Sequence, residues 1–305
     1  MKKIINDPTA VVDEMLDGLA YIHSDLVYRV EGFDIIARKS EKTGKVGLIS
    51  GGGSGHEPSH AGFVGEGMLS AAICGAVFTS PTPDQVLQAI KEADEGAGVF
   101  MVIKNYSGDI MNFEMAQEMA EMEGIEVASV VVDDDIAVED SLYTQGRRGV
   151  AGTILVHKIL GDAARAGKSL TEIKALADEL VKNIHTVGLA LSGATVPEVG
   201  KPGFVLADDE IEFGIGIHGE PGYRKEKMQP SKDLAKELVE KLSQSFELKS
   251  GKKIGILING MGATPLMEQY VFAADVANLL ADAGVEVVYK KLGNYMTSID
   301  MAGIS

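Results

Sequence analysis

The apolar residues of the chain follow two different spacings, and their alternation predicts an α/β protein. Short, nearly continuous apolar runs are typical of strands that are covered on both faces. In the first part of the chain, such runs predict strands at 46–50, 71–78, 98–103 and 125–132. Helical spacing of apolar residues predicts helices at 8–24, 84–93, 110–121, 149–161 and 170–186. Strands that alternate with helices of this length are typical of parallel βαβ units.

The pattern changes near residue 185, beyond which loops rich in proline and glycine separate the predicted elements. In this second part, strands are predicted at 188–192, 213–217, 253–258 and 285–290, and helices at 231–245 and 265–283. We therefore predict two α/β domains. The first, 1–185, has a largely parallel sheet flanked by helices, and the second, 186–305, has a mixed sheet.

Composition and charge narrow the possible partners. The chain has 305 residues with a net charge of −17, which argues against a nucleic-acid surface and against binding to anionic membranes. Its single cysteine, Cys74, excludes an internal disulfide and is best interpreted as a small buried hydrophobe. Neither a secretory leader nor an apolar run of about 20 residues is visible, so we expect a cytoplasmic protein.

Three polar segments that follow predicted strands form the candidate site. Segment 51–58, GGGSGHEP, contains His56; segment 104–109 carries Lys104 and Asp109; segment 214–222 carries His218. Open α/β sheets bind ligands at the carboxyl ends of their strands, and glycine lets the backbone approach a ligand closely. Taken alone, each loop histidine is as consistent with a structural role as with a functional one. Together, the histidines, carboxylate and ammonium predict a small polar pocket.

Several other motifs do not support a function of their own. Segment 51–56 is not a dinucleotide fingerprint because His56 stands where glycine is needed, and segment 161–169 has the wrong spacing and context for a phosphate loop. No Cys/His pair has zinc spacing, so no metal site is expected. Segment 133–135, DDD, is interpreted as a solvated strand end. The four remaining histidines are interpreted as packed or solvated residues without chemistry: His23, His60, His157 and His185.

Longer stretches of the chain resemble one known family. The stretches are SGGGSGHEPSH, FTSPTPDQ, KNYSGDIMNFE, VVDDDIAVED, GRRGVAGT, GIGIHGEPG and INGMGATPLMEQY, and together they extend over nearly the whole chain. They are similar to the K subunits of dihydroxyacetone kinase, the subunits that bind the substrate. The resemblance implies a phosphotransferase that makes dihydroxyacetone phosphate.

The resemblance also implies residue roles. His218 is expected to add to the ketone carbon of dihydroxyacetone and form a hemiaminal, which glycerol cannot do because it has no carbonyl. His56 and Asp109 are expected to be the acid–base groups, and Ser80 to line the pocket. The positions that match the substrate-binding residues of the family are Gly53, Ser54, Gly55, His56, Lys104 and Asp109.

Partners follow from the same resemblance. In one family architecture a helical ATP-binding domain is fused after the K domain; in the other a separate L subunit carries the nucleotide, and the length of this chain favours the second. The resemblance thus implies no cofactor in this chain, nucleotide and magnesium on the L subunit, a homodimer, and a natural chain that continues past Ser305. An alternative is a paralogue that senses dihydroxyacetone and acts through a transcription factor; the presence of His56 and Asp109 favours the enzyme.

Overall fold

The computed structural model describes residues 2–39 and 42–305, and its elements fall into two α/β regions. The strands of the first region are β1 (Val27–Arg29), β2 (Ile35–Arg38), β3 (Gly47–Ser54), β4 (Ala71–Val77), β5 (Val99–Lys104) and β6 (Val127–Val132). Its helices are α1 (Val11–Ile22), α2 (Pro83–Ala93), α3 (Ser107–Met122), α4 (Thr153–Arg165) and α5 (Leu170–Leu180).

The second region has shorter strands and two long helices. The strands are β7 (Leu189–Ala190), β8 (Glu210–Phe213), β9 (Arg224–Lys227), β10 (Lys253–Asn259), β11 (Glu286–Gly293) and β12 (Gly303–Ile304). The helices are α6 (Ser231–Ser243) and α7 (Leu266–Asp282). Within residues 2–39 and 42–305, no helix combines the length and the apolar character needed to cross a lipid bilayer.

The sheet of the first region has the order β1-β2-β4-β3-β5-β6. Strands β4, β3, β5 and β6 run parallel, and β1 and β2 add antiparallel pairing at one side. Successive residues of β5 enter different cores: Phe100 and Val102 pack with α4 and α5, whereas Met101 and Ile103 pack with α2 and α3. This burial on both faces explains the continuous apolar run in β5.

The second region contains both parallel and antiparallel pairing, as predicted, but in separate sheets. The sheet β12-β7-β8-β9 is antiparallel throughout, and β10 and β11 form a parallel pair. Helices α6 and α7 bury Leu238 and Phe272 against residues of both sheets. The fold class predicted from the sequence is confirmed, while the boundary near residue 185 stays a prediction.

The predicted end of the strand before the glycine segment was wrong. Strand β3 does not end at Ser50 but continues through the glycines to Ser54, because Gly51 and Gly53 pair with β4. A Cβ on Gly51 would lie 2.5 Å from the carbonyl oxygen of Ile73, so only glycine allows this pairing. The glycines are therefore strand residues rather than a turn, and the turn begins at Gly55.

The predicted strand 213–217 and the predicted loop 104–109 also need correction. Strand β8 ends at Phe213, because Gly214 takes a φ of +76° and turns the chain toward His218. Helix α3 begins at Ser107, which places Asp109 in the first helical turn rather than in a loop. Four short strands were missed, and of these β9, with the sequence RKEK, has no apolar residue to indicate it.

Candidate functional site

The predicted chemical residues meet where the two regions join. His56 follows β3, Lys104 ends β5, Asp109 begins α3, and His218 lies in the turn after β8. Strands β3 and β5 are adjacent and parallel, so their carboxyl ends open at the same edge of the sheet. The second region supplies the opposite wall, because the Nε2 atoms of His56 and His218 are 3.1 Å apart.

The two imidazoles face each other with the same nitrogen. The Nδ1 atom of His56 lies 2.7 Å from the carbonyl oxygen of Thr297, which can only accept, so this nitrogen carries the ring proton. The Nδ1 atom of His218 lies 2.8 Å from Oε1 of Glu220. An ionised carboxylate likewise accepts, so both Nε2 atoms present a lone pair to the other. A single proton between the two nitrogens, or a polarised carbonyl group of a ligand, would give these lone pairs a partner.

The two imidazole rings differ in their burial and in the charged groups around them. His56 is fully buried, and this burial lowers its pKa well below the usual range, with the charges of His218 and Lys104 acting in the same direction. His218 keeps 18% of its side chain exposed and rests against the carboxylate of Glu220. Burial opposes the ionisation of Glu220, but its hydrogen bonds with His218 outweigh burial and lower its pKa. The surroundings therefore favour the neutral form of His56.

Aromatic rings fix the orientation of the pair. Phe78 stacks on His56 with 5.1 Å between ring centroids, and its edge meets His218 at 5.2 Å. Tyr106 closes the other side of His218 at 4.7 Å. The reactive nitrogens therefore lie in a largely apolar enclosure, where hydrogen bonds and charges act more strongly than in water.

Lys104 and Asp109 form the polar floor. The ammonium of Lys104, which is 1% exposed, lies 3.2 Å from the carbonyl oxygen of Gly51 and 3.9 Å from Oδ2 of Asp109. Burial lowers the pKa of Lys104, and Asp109 acts against that shift. Ser80 donates a 2.5 Å hydrogen bond to Oδ1 of Asp109. A Cβ on Gly52 would lie 2.5 Å from the lysine nitrogen, so glycine at this position makes room for the ammonium.

The other predicted substrate-binding positions line the same edge but have protein partners. The Ser54 hydroxyl donates to the carbonyl oxygen of Gly75 at 2.7 Å, and the Gly55 amide donates to Oε1 of Glu57 at 3.0 Å. Gly53 packs against the backbone of Phe78 and Thr79, where a Cβ would not fit. Contact of these three residues with a substrate stays a prediction.

Buried acids support the His218 turn, and here the sequence interpretation was wrong. Asp134 and Asp135 are 1% and 3% exposed rather than solvated. Asp134 accepts hydrogen bonds from the amides of Val150 and Gly152 before α4. Asp135 binds the fully buried Arg148, whose guanidinium also donates to the carbonyl oxygen of Gly214 at 2.6 Å. Asp135 therefore anchors, through Arg148, the backbone that leads to His218, whereas Asp134 fixes the backbone before α4.

Sequence reasoning missed other residues near the site. Glu220 stands two positions after His218 in HGEP, and this spacing was the available signal for its hydrogen bond with the ring. His60 and His157 are packed as predicted, but His60 contacts Lys104 and His157 lies behind His60. Nothing in the sequence brings His157 of α4 to His60, because their contact depends on how the helix crosses the sheet.

Comparisons with known proteins identify the class to which this fold and site belong. The model of the Dak1 domain matches residues 17–305, so the chain belongs to the Dak1 domain family. The resemblance to K subunits of dihydroxyacetone kinase is confirmed by full-length relatives.

Three of the similar proteins come from bacteria. A protein of Lactococcus lactis subsp. lactis (strain IL1403), named PTS-dependent dihydroxyacetone kinase, dihydroxyacetone-binding subunit DhaK, is 70% identical over 100% of this chain and 92% of its own length. The corresponding PEP-dependent subunit of Escherichia coli (strain K12) is 43% identical, with 100% and 92% covered. A solved structure of dihydroxyacetone kinase from C. freundii is 34% identical, with a TM-score of 0.88 over 99% of this chain and 56% of that chain.

Proposed function

We propose that this chain is the substrate-binding subunit of a phosphoenolpyruvate-dependent dihydroxyacetone kinase. It holds dihydroxyacetone covalently on His218 and presents it for phosphoryl transfer from an L subunit that carries the nucleotide and magnesium. The observation that carries the proposal is the Nε2 lone pair of His218, directed by Glu220 toward His56 at 3.1 Å. The names of the relatives support the same substrate.

Hemiaminal formation follows from this geometry. The Nε2 electron pair of His218 forms the bond to the ketone carbon, and the π pair of the carbonyl moves to its oxygen. A proton taken from solvent onto Nε2 of His56 passes to that oxygen, which becomes a hydroxyl, and His56 is left neutral with its proton on Nδ1. Glu220 offsets the positive charge that develops on the His218 ring. Glycerol has no carbonyl to accept the electron pair, so the covalent step excludes it.

Phosphoryl transfer needs a base and a positioned hydroxyl. A hydroxyl oxygen of the held triose forms a bond to the terminal phosphorus of the nucleotide, the bond from that phosphorus to the bridging oxygen breaks, and the nucleoside diphosphate stays on the L subunit. The proton of the hydroxyl passes to Asp109, assisted by His56. Ser80 occupies one oxygen of Asp109, so the other, which faces Lys104, is the oxygen that receives the proton. The ammonium of Lys104 binds a substrate hydroxyl and keeps the triose in line.

The test is reconstitution. The chain is mixed with an L subunit, its phosphoryl carrier and phosphoenolpyruvate, and dihydroxyacetone phosphate is measured; intact-protein mass spectrometry follows the adduct. We expect product, and an adduct with the mass of one dihydroxyacetone that is lost in His218→Ala. A chain without transfer under conditions that support a relative's K subunit would overturn the enzymatic proposal, and an adduct retained in His218→Ala would overturn the site.

A regulatory function is the second candidate. The DhaKLM operon coactivator DhaQ of Lactococcus lactis subsp. lactis (strain IL1403) is 47% identical over 99% of this chain and 92% of its own length. A regulator of this type would keep the covalent histidine without transferring phosphate. Copurification with a transcription factor in place of an L subunit would favour this function. We also propose a homodimer, which light scattering of the full chain would test.

A further inference from the structure

A chain of buried side chains continues from Lys104 away from the pocket. The lysine Nζ lies 2.9 Å from Nε2 of His60, and Nδ1 of His60 lies 2.9 Å from Nε2 of His157. Lys104, His60 and His157 are 1%, 3% and 0% exposed. Neither imidazole takes part in the reaction proposed above. Burying a polar ring costs free energy unless the ring is hydrogen-bonded.

The direction of the hydrogen bonds along this chain is fixed by its first member. An ammonium can only donate, so Nε2 of His60 accepts from Lys104 and carries no proton. The single proton of a neutral His60 ring then lies on Nδ1 and is donated to Nε2 of His157. His157 therefore carries its own proton on Nδ1, a buried atom that has no hydrogen-bond partner among the described residues.

This arrangement accounts for each proton of the lysine. One N–H is directed at the carbonyl oxygen of Gly51 and a second at His60. The third is left for the side of Asp109, whose Oδ2 is 3.9 Å away, beyond hydrogen-bond length. That remaining donor faces the pocket edge where the substrate is expected.

We propose that His60, held in place by its hydrogen bond to His157, is a positioning residue that directs the Lys104 ammonium at the substrate and keeps it charged. The proposal rests on the proposed function, in which Lys104 binds the triose. His60 lies in the turn after β3 and His157 lies on α4, so these hydrogen-bonded side chains connect the pocket to helix α4.

The electrostatics around the lysine agree with this role. The groups that face it are the carboxylate of Asp109 on α3, the carbonyl of Gly51 on β3, and the imidazoles of His60 and His56. Burial lowers the pKa of His60 well below the usual range and that of His157 to about 3, and the charge of Lys104 adds to both shifts. Both rings therefore stay neutral, and His60 accepts from the ammonium without competing for its charge.

The first test observes the tautomers directly in the wild-type protein. Long-range proton–nitrogen correlation spectra of chain labelled in its histidine rings report which nitrogen carries the proton. We expect neutral rings protonated at Nδ1 for both His60 and His157 from pH 8 down to about pH 5. Protonation of His60 at Nε2 would overturn the proposal. This result does not depend on kinase activity.

The second test compares matched variants in the reconstituted transfer assay. His60→Gln keeps an acceptor near the Nε2 position, whereas His60→Leu removes it and leaves the ammonium one partner short. We expect the alkaline limb of the pH–rate profile to move at least about one pH unit lower in His60→Leu, because a less stabilised ammonium loses its proton earlier. His60→Gln restores the wild-type limb.

Leu160→Ala controls for damage to the core, because Leu160 is fully buried on the same helix as His157. It lowers stability without moving the alkaline limb. A His60→Leu profile that superimposes on the wild type, or one that Leu160→Ala reproduces, would overturn the proposal. Absence of transfer in the wild type would instead overturn the proposed function, while the spectra would still decide the tautomers.

Discussion

The site contains two histidine pairs that are alike in distance and opposite in hydrogen-bond logic. His60 and His157 meet through Nδ1 and Nε2 at 2.9 Å, while His56 and His218 meet through two Nε2 atoms at 3.1 Å. The first pair matches a donor with an acceptor, and the second sets two lone pairs against each other. The first pair is wholly buried, whereas His218 of the second remains partly open.

The difference shows how identical side chains acquire different roles. In each pair the tautomers are set from outside, by Lys104 for the buried pair and by Thr297 and Glu220 for the other. In a matched pair, the nitrogens that face each other already form a hydrogen bond, so the pair can only position neighbouring residues. A mismatched pair is incomplete until a proton or a polarised carbonyl enters. Reactivity is therefore expected only where the pair is mismatched and accessible.

The largest expected effect comes from the mismatched pair. His56→Ala removes the group that moves the proton in the gap, so we expect turnover to fall by about 100- to 10,000-fold, the usual worth of a general acid–base group. The measurement is the rate of dihydroxyacetone phosphate formation. His185→Ala, at a histidine outside this site, serves as the control and keeps wild-type turnover. A fully active His56→Ala, Asp109→Ala double variant would contradict both assigned roles.

A smaller effect is expected from the residue that sets the tautomer of His218. Glu220→Gln replaces a charge-assisted hydrogen bond, worth about 1.5–3 kcal/mol, with a neutral one. We expect the rate of adduct formation to fall by about 10- to 100-fold. Mass spectrometry of samples quenched at a series of times measures the rate of adduct formation. Glu237→Gln on α6 is the matched control. An unchanged rate would show that Glu220 does not set the tautomer.

The sequence pattern predicted much of the secondary structure of the first region, because its buried strands are continuous apolar runs. Strand β5, the helices around it and the positions of His56, Lys104, Asp109 and His218 all follow from apolar runs and the residues at their ends. Residues whose role depends on distant partners gave no such signal. His157 reaches His60 only through the packing of α4, and Asp134 is buried because amides about sixteen residues later turn toward it.

The glycine segment was placed at the edge of the sheet from the sequence, but with the wrong local structure. Glycine favours turns, and the sequence pattern offered no reason to continue the strand through three of them. Tertiary contacts reverse that preference, because Gly51 meets the backbone of β4 and Gly52 meets the ammonium of Lys104. The glycines thus serve close packing of strand and lysine.

A further expected effect concerns the stability of the fold and comes from the buried pair, His60 and His157. Burial lowers the pKa of His157 to about 3 in the folded state, while the unfolded chain has the ordinary value near 6.5. Between these values the unfolded chain binds the proton and the folded chain does not. The free energy of unfolding is therefore highest, as far as this histidine is concerned, above about pH 6.5. It falls as the pH falls toward 3, by up to about 1.4 kcal/mol per pH unit for each such histidine.

Denaturant unfolding of the full chain at a series of pH values measures this loss. A His60→Gln, His157→Gln double variant is less stable at pH 7.5 but loses less of its free energy of unfolding between pH 6.5 and 4.5, because glutamine does not titrate. The matched control is His23→Gln, which replaces an exposed histidine at the end of α1. An equal slope in the double variant and the wild type would mean that the buried pair takes up protons in the folded state, which would remove the contrast with His56 and His218.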